Sequence, residues 1–435
     1  MSSYAVKKTA GDTSWFVHDR FGMFIHFGLY AMPARKEWIK KIECISEEKY
    51  DLYFKYFNPD MLNAKEWAKL AKEAGMKYVV LTTKHHEGFC LFDSKYTDYK
   101  VTNTPYGRDI VKEYVDAFRA EGIRIGFYYS LLDWHHPDFT IDQMHPRRND
   151  ANAHELNVGR DMHRYAEYMR NQVTELLTNY GNIDILWLDF SYDGDAEWPK
   201  GKKKEDWETE KLVETARSIQ PDIIIDNRAD LPQDIWTPEQ HQPTEWMRDK
   251  TTGEYLTWEA CHTMSGTWGY NRDETTWKSP EMLLNLLIDS VALGGNMIMN
   301  IGPTARGYLD YRAENALKVY ADWMKYNSRS IYGCTMAEPE FKAPNGCVFT
   351  QSVDGKRLYV HLIKYPFRYL ELPGFVGKVE YAQFLHDGSE VLFEENSLKA
   401  NVNENYSKDL TGTLLMHLPV LKPNTLVPVI ELYLK

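Results

Sequence analysis

Short apolar runs alternate with longer segments of helical period, and this alternation constrains the fold more than any other feature. The runs are nearly all apolar, which is typical of strands buried on both faces of a parallel sheet. The runs cover residues 21–28, 77–86, 123–134, 183–190, 222–228 and 294–303, and the helix-like segments cover 64–74, 110–121, 160–179 and 281–292. Strands and helices in this order predict an α/β fold.

Polar residues of these runs concentrate at their carboxyl ends. They are His26, the pair His85-His86, Asp133, Asp189 and Arg228. In a (β/α)8 barrel, the carboxyl ends of the strands form the active-site face. A doubly wound open sheet is the alternative, but no glycine-rich phosphate loop follows the first run. We therefore expect a (β/α)8-like barrel, of regular or irregular form.

The pattern changes after about residue 335. Segments 357–362, 378–384, 390–393 and 414–418 are short, alternate in polarity and are bounded by turn residues. Such segments are typical of antiparallel strands. We predict a catalytic barrel over residues 1–335 and a C-terminal antiparallel β-sandwich over residues 336–435.

Charge and cysteine content exclude several classes of function. The 435-residue chain has a formal net charge of −12, which disfavours binding to nucleic acid or to an anionic membrane surface. Its five cysteines include no CxxC pair, so neither a zinc knuckle nor a disulfide framework is indicated. Free thiols, and the lack of an apolar leader in the first residues, predict a cytoplasmic protein. Aromatic residues, at 14%, suit sugar rings as well as core packing.

Asp189 closes the run 183–190, so its carboxylate is expected at the mouth of the barrel. Trp187 shares its face of the strand, because side chains alternate. A carboxylate beside an indole can act as a nucleophile or stabilise an ion pair, and its structural alternative is a helix N-cap. Glycoside hydrolysis needs a second carboxyl group as general acid. Three candidates follow Arg228, and spacing alone does not rank them: Glu239, Glu245 and Glu259.

Three histidines near strand ends, His26, His85 and His86, are of the residue type that binds zinc. A metal-dependent barrel hydrolase usually has two histidines at positions i and i+2 of the first strand, whereas Gly28 stands two residues after His26. We therefore predict no metal site and favour neutral imidazoles that hydrogen-bond a polyol. Adjacent strand residues face opposite sides, so one of His85 and His86 is also compatible with a buried structural role.

Six motifs between residues 15 and 335 resemble, in order, the glycoside hydrolase family 29 α-L-fucosidases. They are FGMFIHFG at 21–28, TKHHEGF at 83–89, WLD at 187–189, WEAC at 258–261, WGY at 268–270 and GGNMIMNIGP at 294–303. The resemblance implies a barrel, often irregular, followed by a β-sandwich. It also implies a retaining exo-hydrolase of terminal α-L-fucosyl residues that needs no metal or other cofactor.

The same resemblance implies roles for individual residues. Asp189 would be the nucleophile that forms a covalent fucosyl-enzyme. Glu239, in a Thr-Pro-Glu context eleven positions beyond Arg228, would be the acid/base, with Glu245 and Glu259 as alternates. Trp268 would supply an apolar wall for the fucose methyl group. Substrate-binding roles are implied for His26, Glu37, Trp38, His85, His86, Tyr129, Trp187 and Arg228.

Other functions stay open at this point. An α-L-galactosidase is the nearest alternative, since L-galactose adds one hydroxyl to the fucose methyl group, and an apolar pocket rejects such a group only weakly. A non-catalytic carbohydrate-binding protein and a metal-dependent amidohydrolase are alternatives from other classes. The expected partners are fucosylated oligosaccharides or glycosides, with no nucleic acid and no membrane. Homo-oligomers are compatible with the resemblance, and the sequence indicates no linkage preference.

Overall fold

A computed structural model describes residues 4–396 and 410–435. Parallel strands and helices make up its N-terminal part. The strands are β1 Phe21–Ile25, β2 Tyr78–Lys84, β3 Arg124–Ser130, β4 Ile185–Asp189, β5 Ile224–Ile225, β6 Glu259–Thr263 and β7 Asn296–Ile301. The helices are α1 Ser14–Asp19, α2 Ile39–Ile42, α3 Glu47–Tyr56, α4 Ala64–Glu73, α5 Ile110–Ala120, α6 Met162–Asn179, α7 Lys204–Trp207, α8 Thr209–Ile219, α9 Pro280–Ala292 and α10 Tyr311–Asn327.

The parallel strands form one curled sheet in the order β5-β4-β3-β2-β1-β7-β6. Its two outer strands are connected through residues 235–239 rather than directly. Isolated parallel bridges join Asp226 to Ile235, Trp236 to Trp258 and Glu239 to Cys261. Residues 235–239 therefore act as an irregular eighth strand, which we call the bridging segment. The predicted (β/α)8-like barrel is confirmed in an irregular form.

Burial on both faces of the sheet explains why these sequences form strands. Every residue of β1, β2 and β4 is buried, as expected for a parallel sheet enclosed by helices. The helices begin at polar caps; Asp109, for example, accepts a hydrogen bond from the backbone of Lys112 at the start of α5. Inside the barrel, aromatic side chains such as Phe24, Tyr128 and Trp187 fill the space between the strands.

One close approach at the amino end of β7 requires glycine. Gly294 has a φ of 74°, and a side chain there would collide with the ring of Trp246. Trp246 in turn packs against Tyr255, with ring centroids 4.5 Å apart. This packing fixes the chain that follows the bridging segment against the amino-terminal end of the barrel.

The C-terminal part is antiparallel, as the sequence predicts. Its strands are β8 Cys334–Met336, β9 Cys347–Ser352, β10 Arg357–Leu362, β11 Tyr369–Pro373, β12 Val379–Phe384, β13 Phe393–Glu395, β14 Thr413–His417 and β15 Val429–Leu434. They form a five-stranded sheet, β12-β15-β10-β9-β8, and a three-stranded sheet, β11-β14-β13. An apolar core that includes Leu358, Leu372 and Met416 lies between them. Within the described residues, no helix has the length and apolar character needed to span a bilayer.

Candidate active site

Asp189 is the last residue of β4, and only 8% of its surface is exposed. The Tyr128 hydroxyl donates a hydrogen bond of 2.7 Å to its Oδ2, and Arg228 Nη1 donates one of 3.2 Å to its Oδ1. Burial raises the pKa of Asp189 to about 6, although the nearby Arg228 charge acts in the opposite direction. The group is therefore mainly an ionised carboxylate at neutral pH, which is the form a nucleophile requires.

Glu239 and Asp189 share one nitrogen of Arg228. Arg228 Nη1 donates to Glu239 Oε2 at 2.6 Å as well as to Asp189 Oδ1 at 3.2 Å. The two oxygens that accept from Arg228 Nη1 therefore cannot lie further apart than the sum of these distances, so the two carboxylates are neighbours in the site. Arg228 is itself held by the bridging segment, since its Nε donates to Thr237 Oγ1 at 2.8 Å. The Glu239 side chain remains 42% exposed and is therefore open to solvent.

The two alternate glutamates lie elsewhere. Glu245 is exposed and precedes Trp246, whose ring packs at the amino end of the barrel. Glu259 is the first residue of β6 and is completely buried, with the Tyr78 hydroxyl donating a hydrogen bond to its Oε2. Burial raises the pKa of Glu259 to about 8. Of the three candidates, Glu239 is the one that shares an ion-pair partner with Asp189.

His26 and His86 are neutral, and their hydrogen-bond partners assign the tautomer. Asn300 Nδ2 donates to the carbonyl of Trp268, so its Oδ1 is the acceptor for His26 Nδ1 at 2.6 Å. Ser130 donates its hydroxyl proton to a backbone carbonyl, so its oxygen accepts from His86 Nδ1 at 2.7 Å. Burial, together with the neighbouring His85, holds the pKa of both rings well below the usual value. Each ring thus presents Nε2 as a hydrogen-bond acceptor.

His85 and His86 lie on the same side of the molecule. Strand β2 ends at Lys84, so the alternation that separates adjacent strand residues no longer applies to them. Their ring centroids are 3.9 Å apart, and His85 also stacks on Tyr128 at 5.6 Å. A buried ion pair of 3.0 Å between Lys84 and Asp133 anchors the turn. The structure therefore brings both histidines to the site, and the alternative that one is purely structural is not supported.

Glu37 and Trp38 reach the site from the chain that follows β1. The carboxylate of Glu37 accepts hydrogen bonds from the backbone N–H groups of Trp268, at 3.2 Å, and Gly269, at 2.8 Å. It thereby fixes the loop that carries Trp268, whose ring lies 5.0 Å from that of His26. The half-buried Trp38 packs against the ring of His86 at 4.6 Å. Trp38 and Trp268 thus provide aromatic surface next to the histidines.

Tyr129 does not reach the site, and this prediction is corrected to Tyr128. The Tyr129 hydroxyl donates to Gln172 of α6 at 2.7 Å, on the outer side of the sheet. The register of β3 with β4 places Tyr128 opposite Trp187, and their rings stack with centroids 5.8 Å apart. The guanidinium of Arg228 lies 4.7 Å above the Trp187 ring. The two-residue alternation of a strand, applied from Trp187 across the sheet, is the signal that identifies Tyr128.

Two further residues were missed by sequence reasoning. Asn300 orients His26, and its place in the 294–303 motif was a usable signal. Asp226, fully buried at the end of β5, accepts a hydrogen bond of 3.0 Å from the backbone of Leu188. Burial raises the pKa of Asp226 well above its usual value. In the part of the chain that the structure describes, no three His, Cys, Asp or Glu side chains are grouped so as to hold a metal ion.

Two carboxylates this close, at the carboxyl ends of parallel barrel strands, define a glycoside hydrolase. A family model described as alpha-L-fucosidase matches residues 3–329. The chain belongs to this family, the α-L-fucosidases of glycoside hydrolase family 29.

Solved structures and curated relatives agree with this assignment. Alpha-L-fucosidase isoenzyme 1 from Paenibacillus thiaminolyticus is 42% identical, with a TM-score of 0.89 over 97% of this chain and 98% of that one. A GH29 alpha-L-fucosidase from Bacteroides thetaiotaomicron, trapped as a covalent intermediate, is 27% identical with a TM-score of 0.80, over 100% and 99% of the two chains. The human plasma alpha-L-fucosidase is 29% identical, covering 81% of this chain and 76% of its own.

Proposed function

We propose that the protein is a retaining exo-α-L-fucosidase that acts by double displacement. The observation that carries the proposal is the Arg228 nitrogen shared by Asp189 and Glu239. Carboxylates that share one nitrogen fit the short separation of retaining enzymes, in which one carboxylate is the nucleophile and the other the acid/base. The covalent intermediate trapped in the GH29 enzyme from Bacteroides thetaiotaomicron supports the same mechanism.

The roles follow from the geometry. Asp189 attacks the anomeric carbon while Glu239 protonates the departing oxygen, which gives a covalent fucosyl-enzyme. Glu239 then takes a proton from water, and this water attacks the same carbon to release fucose with its configuration retained. In the resting site Glu239 is paired with Arg228, so it must take up a proton before the first step. Tyr128 and Arg228 stabilise the Asp189 carboxylate when it is released again.

The neutral histidines supply specificity for a sugar with ring hydroxyls. His26 and His86 present acceptor nitrogens that would be left without partners if a substrate lacked the matching hydroxyl groups, and such a loss is costly in a buried site. Trp268, beside His26, is the candidate wall for the C5 methyl group. An L-galactoside carries an additional hydroxyl on the carbon that is a methyl group in fucose. The ratio of activity on the fucoside to activity on the L-galactoside therefore measures how well this wall excludes the hydroxyl.

The test is hydrolysis of 4-nitrophenyl α-L-fucoside in the presence of EDTA, with proton NMR of the first sugar released. We expect metal-independent turnover that gives α-L-fucose first. We expect no turnover above background for Asp189→Ala, and normal turnover for Asp193→Ala, whose exposed carboxylate pairs with Lys203 in the same loop. A β-configured first product would refute the retaining mechanism. Silence on the fucoside with turnover of the L-galactoside would reassign the substrate.

We also infer that the enzyme works in a reducing compartment. Its five cysteines are free thiols, and three of them, Cys90, Cys261 and Cys334, are buried in the core. Thiols of this kind persist in a reducing environment such as the cytoplasm. Fractionation of the source cells tests this, and recovery of the protein from the medium would contradict it.

A further inference from the structure

A buried glutamate lies directly behind His85. Glu87 belongs to the same turn, and only 1% of its surface is exposed. Its Oε2 is 3.4 Å from His85 Nδ1, the ring nitrogen that no described residue contacts by a hydrogen bond. Neither carboxyl oxygen has a hydrogen-bond partner of good geometry among the described residues, and the nearest donors are the backbone N–H groups of Leu29 and of Glu87 itself. A buried carboxyl group that is this poorly satisfied is costly, and its closest titratable neighbour is a histidine of the site, which points to a role there.

The surroundings of Glu87 explain its protonation. Gly28 passes so close that a side chain there would lie 2.7 Å from Glu87 Oε1. The hydroxyls of Tyr50 and Tyr99, both buried, lack hydrogen-bond partners among the described residues. The other charged or titratable groups around Glu87 are Lys40, Asp133 and the phenols of Tyr30, Tyr50 and Tyr99. Lys40 is paired with Glu47 at 2.9 Å, and Asp133 is paired with Lys84. Burial raises the pKa of Glu87 to about 8, whereas burial lowers the pKa of His85 to about 3.

We propose that Glu87 is a positioning residue that decides which nitrogen of His85 carries the proton. When Glu87 is neutral, its O–H donates to His85 Nδ1, and Nε2–H then points away from Glu87 as a donor. When Glu87 is ionised, it accepts from Nδ1–H, and Nε2 becomes an acceptor. At 3.4 Å the pair is just longer than a hydrogen bond, and contacts of this kind shorten in enzyme–substrate complexes.

The donor form of His85 complements its neighbours. His26 and His86 both present Nε2 as an acceptor, so three acceptor rings would leave the sugar oxygens without a histidine donor. With Glu87 neutral, His85 supplies that donor. Each sugar hydroxyl can both donate and accept, so a mixed set of partners satisfies more of its hydrogen-bonding capacity. This inference rests on the proposed function, because it assumes that a fucosyl group occupies the site.

The experiment measures the inhibition constant of L-fucose, as a competitive inhibitor of fucoside hydrolysis, between pH 5.5 and 9.5. Ionisation of Glu87 removes the buried hydrogen bond that His85 Nε2–H donates to the sugar. We therefore expect the inhibition constant of the wild type to rise about tenfold from pH 7 to 9.5. In Glu87→Gln the amide donates to Nδ1 at every pH, so the inhibition constant stays flat from pH 7 to 9.5, above the pKa of about 6 of Asp189. Asp289→Asn is the matched control: burial on the outer helix α9 raises the pKa of Asp289 to about 6, and its loss leaves the wild-type rise in place.

A spectroscopic readout keeps the proposal testable if Glu87→Gln does not fold. In protein labelled with 15N-histidine, with the His85 signals assigned by comparison with His85→Gln, we expect Nε2–H at pH 6.5 and Nδ1–H at pH 9.5. The same His85 tautomer at both pH values overturns the proposal. A Glu87→Gln variant whose inhibition constant rises with pH as in the wild type overturns it as well. Because this spectrum needs no substrate, it separates failure of the Glu87 proposal from failure of the fucosidase assignment.

Discussion

Replacing Tyr128 by phenylalanine should shift the pH dependence of the reaction towards alkaline values. Its hydroxyl donates a 2.7 Å hydrogen bond to the Asp189 carboxylate and so stabilises the ionised nucleophile. A hydrogen bond to a charged group contributes roughly 1.5–3 kcal/mol, and one pKa unit corresponds to about 1.4 kcal/mol. Removing it should therefore raise the pKa of Asp189 from its value of about 6 by roughly one to two units.

The direction of the shift in pH dependence follows from the ionisation state that the attack requires. In the proposed mechanism only ionised Asp189 attacks. Activity therefore rises with pH through the pKa of Asp189, and the variant needs a higher pH to reach the same ionised fraction. At pH 7 that fraction falls by roughly twofold if the pKa rises by one unit and by about tenfold if it rises by two. The assay is kcat/KM for 4-nitrophenyl α-L-fucoside from pH 4.5 to 8.5, where the acid limb reports the free enzyme.

Tyr129→Phe is the matched control for Tyr128→Phe. It removes the neighbouring phenol, whose hydrogen bond goes to Gln172 on the outer side of the sheet. We expect this variant to lose about 1 kcal/mol of stability and to keep the wild-type acid limb. An unshifted limb in Tyr128→Phe, or an equal shift in Tyr129→Phe, would refute the reasoning.

Three further predictions concern other parts of the molecule. Glu239→Gln should lose more activity on a fucosyl disaccharide than on 4-nitrophenyl fucoside, because the poorer leaving group needs the proton more, and equal losses would exclude Glu239 as the acid. Burial raises the pKa of Glu259 from 4.5 to about 8, so the stability that this group contributes falls as pH rises through this range. Glu259→Gln should therefore flatten the decline of Tm between pH 5 and 8, and an unchanged slope would contradict this. Gly294→Ala should cost at least ~1 kcal/mol in urea unfolding, because its φ is 74° and Trp246 fills the space, whereas a neutral effect would show that the turn can rearrange.

The barrel strands were predictable because strands that are buried on both faces appear in the sequence as apolar runs. The apolar runs at 21–28, 77–86 and 183–190 contain β1, β2 and β4. Strand β6 was missed, since Glu259–Thr263 has neither an apolar run nor a regular alternation, although every residue is buried. Its polar groups are satisfied by distant partners, such as the Tyr78 hydroxyl that binds Glu259, and no local pattern reveals those.

The proposed nucleophile and the proposed acid/base differ in how far the sequence can identify them. Asp189 ends a regular strand, so its position at the barrel mouth follows from the pattern alone. Glu239 lies on a segment joined by single bridges, and only its contact with Arg228 distinguishes it from Glu245. The Tyr128 and Tyr129 pair shows a further limit: the sequence places two phenols at a strand end, and the register with β4 decides between them.

The bridging segment separates the part of the site that is held rigidly by the sheet from the part that can change in length. Asp189 and the histidines are fixed to the continuous hydrogen-bond ladders of β1 to β4, whereas Glu239 lies on residues 235–239, which are joined to their neighbours by isolated bridges. Residues added or removed beside this segment disturb no ladder, and such sites tolerate length changes best. In the proposed mechanism the leaving group departs past Glu239, on this side of the barrel. We therefore expect different leaving groups to be accommodated by changes in one loop, while the residues proposed to bind the fucosyl ring stay unchanged.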